Sequence, residues 1–179
     1  GLAFGGPEYK AGYTPISKDL CYAFVLTKPE RPDNGLSDAD EMRRLLAGYH
    51  GHFDFIRENL KDDDYMNFTE IEWLWAYDES WHDGRVIVTG DAVHACPPLI
   101  AQGGAQCSED AYLLAEYVTK DGDLDDLLTQ YEERRKARTD IVVRNTMALV
   151  DLEIKGGPES GPEAGKIMGM TMGAMAQPW

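Results

Sequence analysis

The sequence predicts an α+β fold, and three observations lead there. Short runs rich in aromatic and β-branched residues, "GYTPI", "LCYAFVLT" and "FTEIEWLWAY", are bounded by Pro, Gly and Asp, as strands are. Between them and after them lie segments with the 3.6-residue apolar period of helices. A further strand-like run, Arg85 to Thr89, stops at Gly90-Asp91 and is followed by helical patterns rather than by more strands.

Residues 1 to 80 form the first region, short strands with a helical middle. Ser37 is placed to cap a helix whose face carries Met42, Leu45, Leu46, Tyr49, Phe53, Ile56 and Leu60, and Gly48 and Gly51 break or bend it. Residues 81 to 155 hold the strand Arg85–Thr89, a loop and two helices. Cys107, Ala111, Leu114 and Val118 share a face of the first helix. Leu124, Leu128, Tyr131, Arg135, Arg138, Val142, Asn145 and Leu149 share a face of the second. Residues 156 to 179, "GGPESGPEAGKIMGMTMGAMAQPW", are rich in Gly, Pro and Met without a sustained period and read as a linker with a loosely packed tail.

Composition narrows the function classes. With 179 residues, 43% of them hydrophobic, the chain is long enough to bury a core. A net charge of −15 repels a phosphate backbone or an anionic membrane surface, so neither nucleic acid nor membrane is an expected partner. No apolar run reaches the roughly 18 residues that span a bilayer. Three cysteines, Cys21, Cys96 and Cys107, lack zinc-like spacing and are read as reduced thiols, which fits a cytoplasmic location.

The chemistry concentrates in "GRVIVTGDAVHACPPLIAQGGAQCSEDAYLLAEYV", residues 84 to 118. A strand ending at Gly90-Asp91 and a helix starting after Gly103-Gly104 enclose a loop stiffened at Pro97-Pro98 and laid bare at the two glycines. Such a loop lets a flat or anionic ligand reach main-chain amides and a helix N-terminus. By spacing alone, a plain strand–turn–helix connection explains the same residues equally well.

The residues of this stretch, followed by "LLTQYEERRKARTDIVVRN", resemble the C-terminal half of the FAD-dependent aromatic hydroxylases, single-component flavoprotein monooxygenases of the para-hydroxybenzoate hydroxylase type. The matching positions are Gly90, Asp91, Ala92, His94, Pro97, Gln102, Gly103, Glu109, Asp110, Ala111, Tyr131, Glu132, Arg135 and Arg138. Ala101 departs from the pattern, standing where the commonest form has Gly, and Ala105 where Asn is frequent. The A-Q-G form is similar to members acting on pyridine-type rings. The family's N-terminal GxGxxG half has no counterpart, since "GLAFGG" neither follows a strand nor has the spacing. The expected partner is therefore that N-terminal FAD-binding half, in the same longer chain or a second one.

The resemblance implies an antiparallel substrate-domain sheet followed by the strand–loop–helix C-terminal part of an FAD-binding domain. It also implies a monooxygenase that uses FAD, NADH or NADPH and O2, through a flavin C4a-hydroperoxide, to hydroxylate a small aromatic or heteroaromatic substrate. A related FAD-dependent reductase or halogenase, or a non-catalytic flavin- or partner-binding module, is the alternative. Carried over residue by residue, Gly90 and Asp91 hold the ribityl or pyrophosphate region, where a carboxylate accepts from sugar hydroxyls. Pro97 and Pro98 wall the reactive edge of the ring. The main chain of Pro98, Leu99, Ala101, Gln102, Gly103 and Gly104 meets the flavin's pyrimidine edge. Tyr22, alternating with Cys21 and Ala23 on a pocket strand, is the candidate substrate contact.

Other residues read as structural. His94 ties the loop together rather than transferring protons, and Cys96 is a small packing residue. His50 and His52 lie in helical context where i, i+2 residues point apart, so no metal is expected. Glu132 to Lys136 form a solvated, self-paired helix face. Trp73, Trp75 and Trp81 are placed in the core.

Overall fold

The computed structural model describes residues 1–4, 8, 10–28, 33–157 and 159–178. Residues 5 and 6 of the opening "GLAFGG", and Pro158 and Trp179 of the tail, lie outside the described residues. The chain forms two compact units. One comprises Gly1–Glu70 with Glu153–Gly161, and the other Ile71–Leu152 with Pro162–Trp179.

In the first unit, β1 (Leu2–Phe4), β2 (Lys10–Pro15) and β3 (Cys21–Leu26) make an antiparallel sheet in the order β1-β2-β3. The β2–β3 turn is closed by the Ser17 hydroxyl, which accepts from the amides of Asp19 and Leu20 at 3.3 and 3.1 Å. Gly12 sits opposite Phe24 in the ladder, and a Cβ there would lie 2.4 Å from the Phe24 ring, so glycine is what lets the ring fold over β2.

The helical insertion follows its sequence signals. α1 (Asp38–Leu46) begins at Ser37, whose hydroxyl accepts from the Asp40 amide at 3.1 Å. α2 (His52–Asn59) restarts at Gly51, whose φ of 74° is the left-handed conformation glycine allows, and the Gly51 amide donates to Asp54 at 2.8 Å. Leu46, Tyr49 and Phe53 bury against Ala11, with Met42, Val25 and Ile56 packed around them. His50 is exposed beside Asp54, whereas the His52 ring packs edge-on against Tyr13 at 5.7 Å.

The second unit begins in the stretch expected as a strand, "FTEIEWLWAY". It forms no strand and joins no sheet. The Leu74 and Ala76 amides donate instead to Ala95 O at 3.0 Å and Val93 O at 2.9 Å, and this is why the β pattern forms no ladder. Trp81 is buried and Trp75 packs on it while donating to Asp140 at 3.0 Å, but Trp73 is exposed, contrary to the core placement expected of it.

The strand expected over Arg85–Thr89 is shorter than its apolar run. β5 (Val86–Ile87) pairs with β4 (His82–Asp83) around Gly84, at φ 56°, because β4 offers only two partners. A short helix α3 (Asp91–His94), α4 (Gly103–Val118) and the long α5 (Leu124–Lys155) follow.

The buried face of α4 is Gln106, Asp110, Leu113 and Tyr117, one residue earlier than the expected Cys107, Ala111, Leu114 and Val118. The α5 stripe through Leu128, Tyr131, Arg135, Val142 and Leu149 is buried as its period requires. The expected loose tail is a helix, α6 (Ser160–Met175), in which Thr171 is fully buried and accepts from Asn145 at 2.8 Å. Glycines at every fourth position deprived it of an apolar period without preventing the helix. Among the described residues no helix is long and apolar enough to cross a membrane.

Removing the Ser37 hydroxyl with Ser37→Ala leaves the α1 amide without its cap. We expect a loss of about 1 kcal/mol in a urea titration followed by circular dichroism, with the denaturant slope unchanged.

Candidate functional site

The site is organised from below by Asp110. Its Oδ2 accepts from the Gly90 amide at 2.8 Å and lies 2.7 Å from His94 Nε2, and its Oδ1 accepts from Arg135 Nε at 2.6 Å. Arg135 is fully buried and donates further to Glu109 at 2.7 Å and to the carbonyl and side-chain oxygens of Gln106 at 3.1 and 2.8 Å. Glu109 also takes two bonds from Arg138, at 2.7 and 3.0 Å. A buried guanidinium is stable only when charge and hydrogen bonds are both supplied, and here they are.

This network explains why α4 buries polar residues, and it gives His94 the role of tying the loop to α4. Burial works against ionisation of Asp110 and Glu109, but His94 and Arg135 hold the Asp110 carboxyl below its ordinary range. Arg138 and Arg135 do the same for Glu109.

A second ion-pair cluster fixes the hairpin. Glu132 accepts from the Trp81 amide at 2.9 Å, bonds the His82 ring, and pairs with Lys136 at 3.3 Å. The expected Glu132–Lys136 pair therefore forms, but its face is not solvated: Glu132 is buried accepting from the Trp81 amide, and Arg135 is buried donating to Asp110, Glu109 and Gln106. The hydrogen bond that the His82 ring gives to Glu132 raises the His82 pKa, and Glu132 is itself held low against its burial by His82, the Trp81 amide and Lys136.

Above the network runs the loop. Gly90 has φ 65°, and a Cβ there would sit 3.1 Å from Cys107 Sγ, so any side chain would both strain the backbone and press on α4. Asp91 follows it, exposed, as the first residue of α3. Pro97 is buried and Pro98 exposed; the Leu99 amide donates to Pro97 O at 2.9 Å in a tight turn, and Leu99 and Ile100 turn their side chains into the core. Leu99 is thus an anchor on which only the main chain is left to meet a ligand.

Ala101 is the one described non-glycine residue with positive φ, at 54°. This left-handed geometry is the physical reason glycine suits the position, and an alanine holds it at a cost of about 1 kcal/mol. α4 starts at Gly103 rather than after the glycine pair, with Gln102 as its N-cap residue, so Gly103 and Gly104 form its first turn. A Cβ on Gly104 would meet nothing within 4 Å, and one on Gly103 only Cys96 Sγ at 4.0 Å. The bare face of the helix start is open.

The other expected positions are placed as follows. Tyr22 belongs to the first unit, 54% exposed, its ring 5.8 Å from Phe24. Cys96 and Cys107 are half-buried beneath the loop, and burial, with the nearby charge of Asp91, pushes both thiols up. Among the described residues no group of three or more His, Cys, Asp or Glu is arranged to hold a metal ion. Sequence reasoning assigned no role to Gln106; its signal was its position one turn before Asp110, facing Arg135.

The signs of these shifts fix a pH dependence. The low carboxylates stabilise fully above about pH 4 and lose that contribution as pH falls through their lowered folded values, whereas the raised His82 stabilises fully below about pH 6.5 and loses it as pH rises through its folded value. Urea titrations across pH should therefore show stability falling on both flanks, and His82→Gln should flatten the alkaline flank while leaving in place the part of the acid flank due to Asp110 and Glu109.

Residues 34–146 match the family described as the FAD binding domain. YetM of Bacillus subtilis, named as an FAD-dependent monooxygenase, is 34% identical over 153 residues, covering 84% of this chain and 41% of its own length. The aurachin C monooxygenase/isomerase of Stigmatella aurantiaca is 30% identical over 136 residues, 74% of this chain and 34% of its own. The 2-heptyl-3-hydroxy-4(1H)-quinolone synthase of Pseudomonas aeruginosa is 27% identical over 141 residues, 76% of this chain and 36% of its own. The chain thus spans well under half the length of these relatives.

Proposed function

Because the chain belongs to the FAD binding domain family, we propose that it is the part of a flavoprotein monooxygenase that seats the flavin and contributes to the pocket of a heteroaromatic substrate. The observation that carries this reading is the open first turn of α4. Gly103 and Gly104 present bare main chain at a helix N-terminus, beside a loop braced from below by Asp110.

The residues present suit FAD. Free amides and a helix dipole favour the negative charge that reduced flavin carries on its pyrimidine edge, and the exposed Asp91 carboxylate suits a polyol whose hydroxyls only need an acceptor. When bound, FAD supplies the two-electron and oxygen chemistry, with NADH or NADPH as reductant. This chain's residues supply position: Asp91 holds the ribityl chain, the main chain from Pro98 to Gly104 meets the ring, and Pro97 and Pro98 wall its edge. The rest of the FAD-binding half completes the dinucleotide site as a partner segment.

The substrate proposal is a small nitrogen-containing aromatic ring. One of the relatives is named for a quinolone, a nitrogen-containing ring, and the A-Q-G form at Ala101–Gly103 agrees with such rings. Tyr22 is the proposed contact from the sheet.

Two substitutions separate ligand binding from folding. Gly104→Ala meets no atom, and alanine favours a helix by up to about 1 kcal/mol, so the melting temperature should hold or rise. FAD affinity of the complete protein should nevertheless fall, as the methyl group holds the ring off the amides. Asp91→Ala should weaken FAD about tenfold or more, the scale of a hydrogen bond to a charged group, without unfolding the protein. Isothermal titration with FAD checks both, and unchanged affinities would refute the seating of flavin on this loop.

A further inference from the structure

The C-terminal turn of α6 is fastened to the N-terminal turn of α4 by an unusual set of contacts. Gln102 Nε2 donates to Met172 Sδ at 3.5 Å, and Gln106 Nε2 donates to Met175 Sδ at 3.4 Å. Arg138, paired with Glu109, also donates to the carbonyls of Ala174, Met175 and Gln177 at 3.4, 2.7 and 3.2 Å. Arg138 alone would hold the end of α6, since an arginine on the last carbonyls of a helix satisfies them and its dipole.

The two thioether contacts add something different. A thioether sulfur is a weak acceptor, and these two occupy glutamines that have other uses. Gln102 is the N-cap residue of α4, yet its side chain makes no capping bond; it reaches to Met172 instead. Met172 is 48% exposed, whereas Met175 is partly buried, so a small neutral oxidant reaches Met172 directly and the chain's net charge of −15 does not repel it.

We propose that Met172 is a site of reversible oxidation by peroxide, and that its sulfoxide tightens the hold of α6 on Gln102 and so stiffens the loop from Ala101 to Gly104. In the step, the sulfur lone pair attacks one peroxide oxygen, the O–O bond breaks and an S–O bond forms. The sulfur loses two electrons, the peroxide is reduced, and water leaves. The new oxygen, one S–O bond from the sulfur and to the side of the 3.5 Å line to Gln102 Nε2, is a strong acceptor within reach of that amide, so a weak contact becomes an ordinary hydrogen bond. Met170 provides an internal comparison: it is 64% exposed on the same helix, with no thioether contact to the loop among those described. Any consequence for FAD rests on the function proposed above, but the oxidation site and its effect on the loop do not.

The test is hydrogen exchange by mass spectrometry on the 179-residue chain, before and after hydrogen peroxide. The peptide containing Met172 should gain one oxygen, and exchange of the Gln106 amide, which donates to Gln102 O at 2.9 Å and opens with this turn, should slow roughly threefold or more, the scale of one added neutral hydrogen bond. Methionine sulfoxide reductase should restore both the mass and the rate. Met172→Leu should abolish the slowing, and Met170→Leu should keep it. Three results would overturn the proposal: Met172 remaining a thioether while Met170 is oxidised, exchange unchanged once Met172 carries oxygen, or equal slowing in Met172→Leu. Slowed exchange here, together with unchanged FAD affinity of the complete protein in Gly104→Ala and Asp91→Ala, would leave this site standing and remove the flavin reading instead.

Discussion

The carboxylate of Asp110 is the interaction on which the second unit depends. It receives a main-chain amide from the loop start at Gly90, a ring nitrogen from α3 and a guanidinium from α5, and so joins segments 16 to 25 residues away from it in sequence. Each bond satisfies a donor that would otherwise be buried alone. The cost of burying Arg135 is offset only while Asp110, Glu109 and Gln106 are all in place, so the motif residues stand or fall as a group.

From that anchor the loop's geometry follows. Gly90 must turn with positive φ to bring its amide onto Asp110, which sends Asp91 outward to solvent. Leu99 and Ile100 plug the loop into the core, and Ala101 takes the left-handed turn that lets the chain enter α4. The two glycines then complete the first helical turn without side chains, leaving their amides approachable. Function in this reading is a property of main chain held open by buried charge.

How much of this was legible in the sequence depends on what each residue's signal was. Ser37 and Gly51 spoke locally, through a hydroxyl cap and a left-handed turn, and the helix start and break are where those residues put them. The loop was legible because Gly-Asp, Pro-Pro and Gly-Gly carry backbone constraints. The α4 face was misread by one position because its buried stripe is half polar: Gln106 and Asp110 bury for the sake of Arg135, and apolar periodicity cannot see a partner on another helix. The same reason hid the burial of Glu132, which serves the Trp81 amide and His82. α6 was missed because glycines masked its period, and "FTEIEWLWAY" was read as a strand because β-propensity does not reveal whether a ladder partner is present.

The central claim, that Asp110 and Arg135 act as one buried unit supporting the loop, is tested most directly by a double-mutant cycle. Stability is measured by urea titration for wild type, Asp110→Asn, Arg135→Met and the double variant. The account predicts single losses of about 3 kcal/mol or more and a double variant much closer to either single than to their sum, because each single leaves its partner buried without compensation. Additive losses would contradict it, and the loop would then owe its shape to its own turns rather than to the carboxylate beneath it.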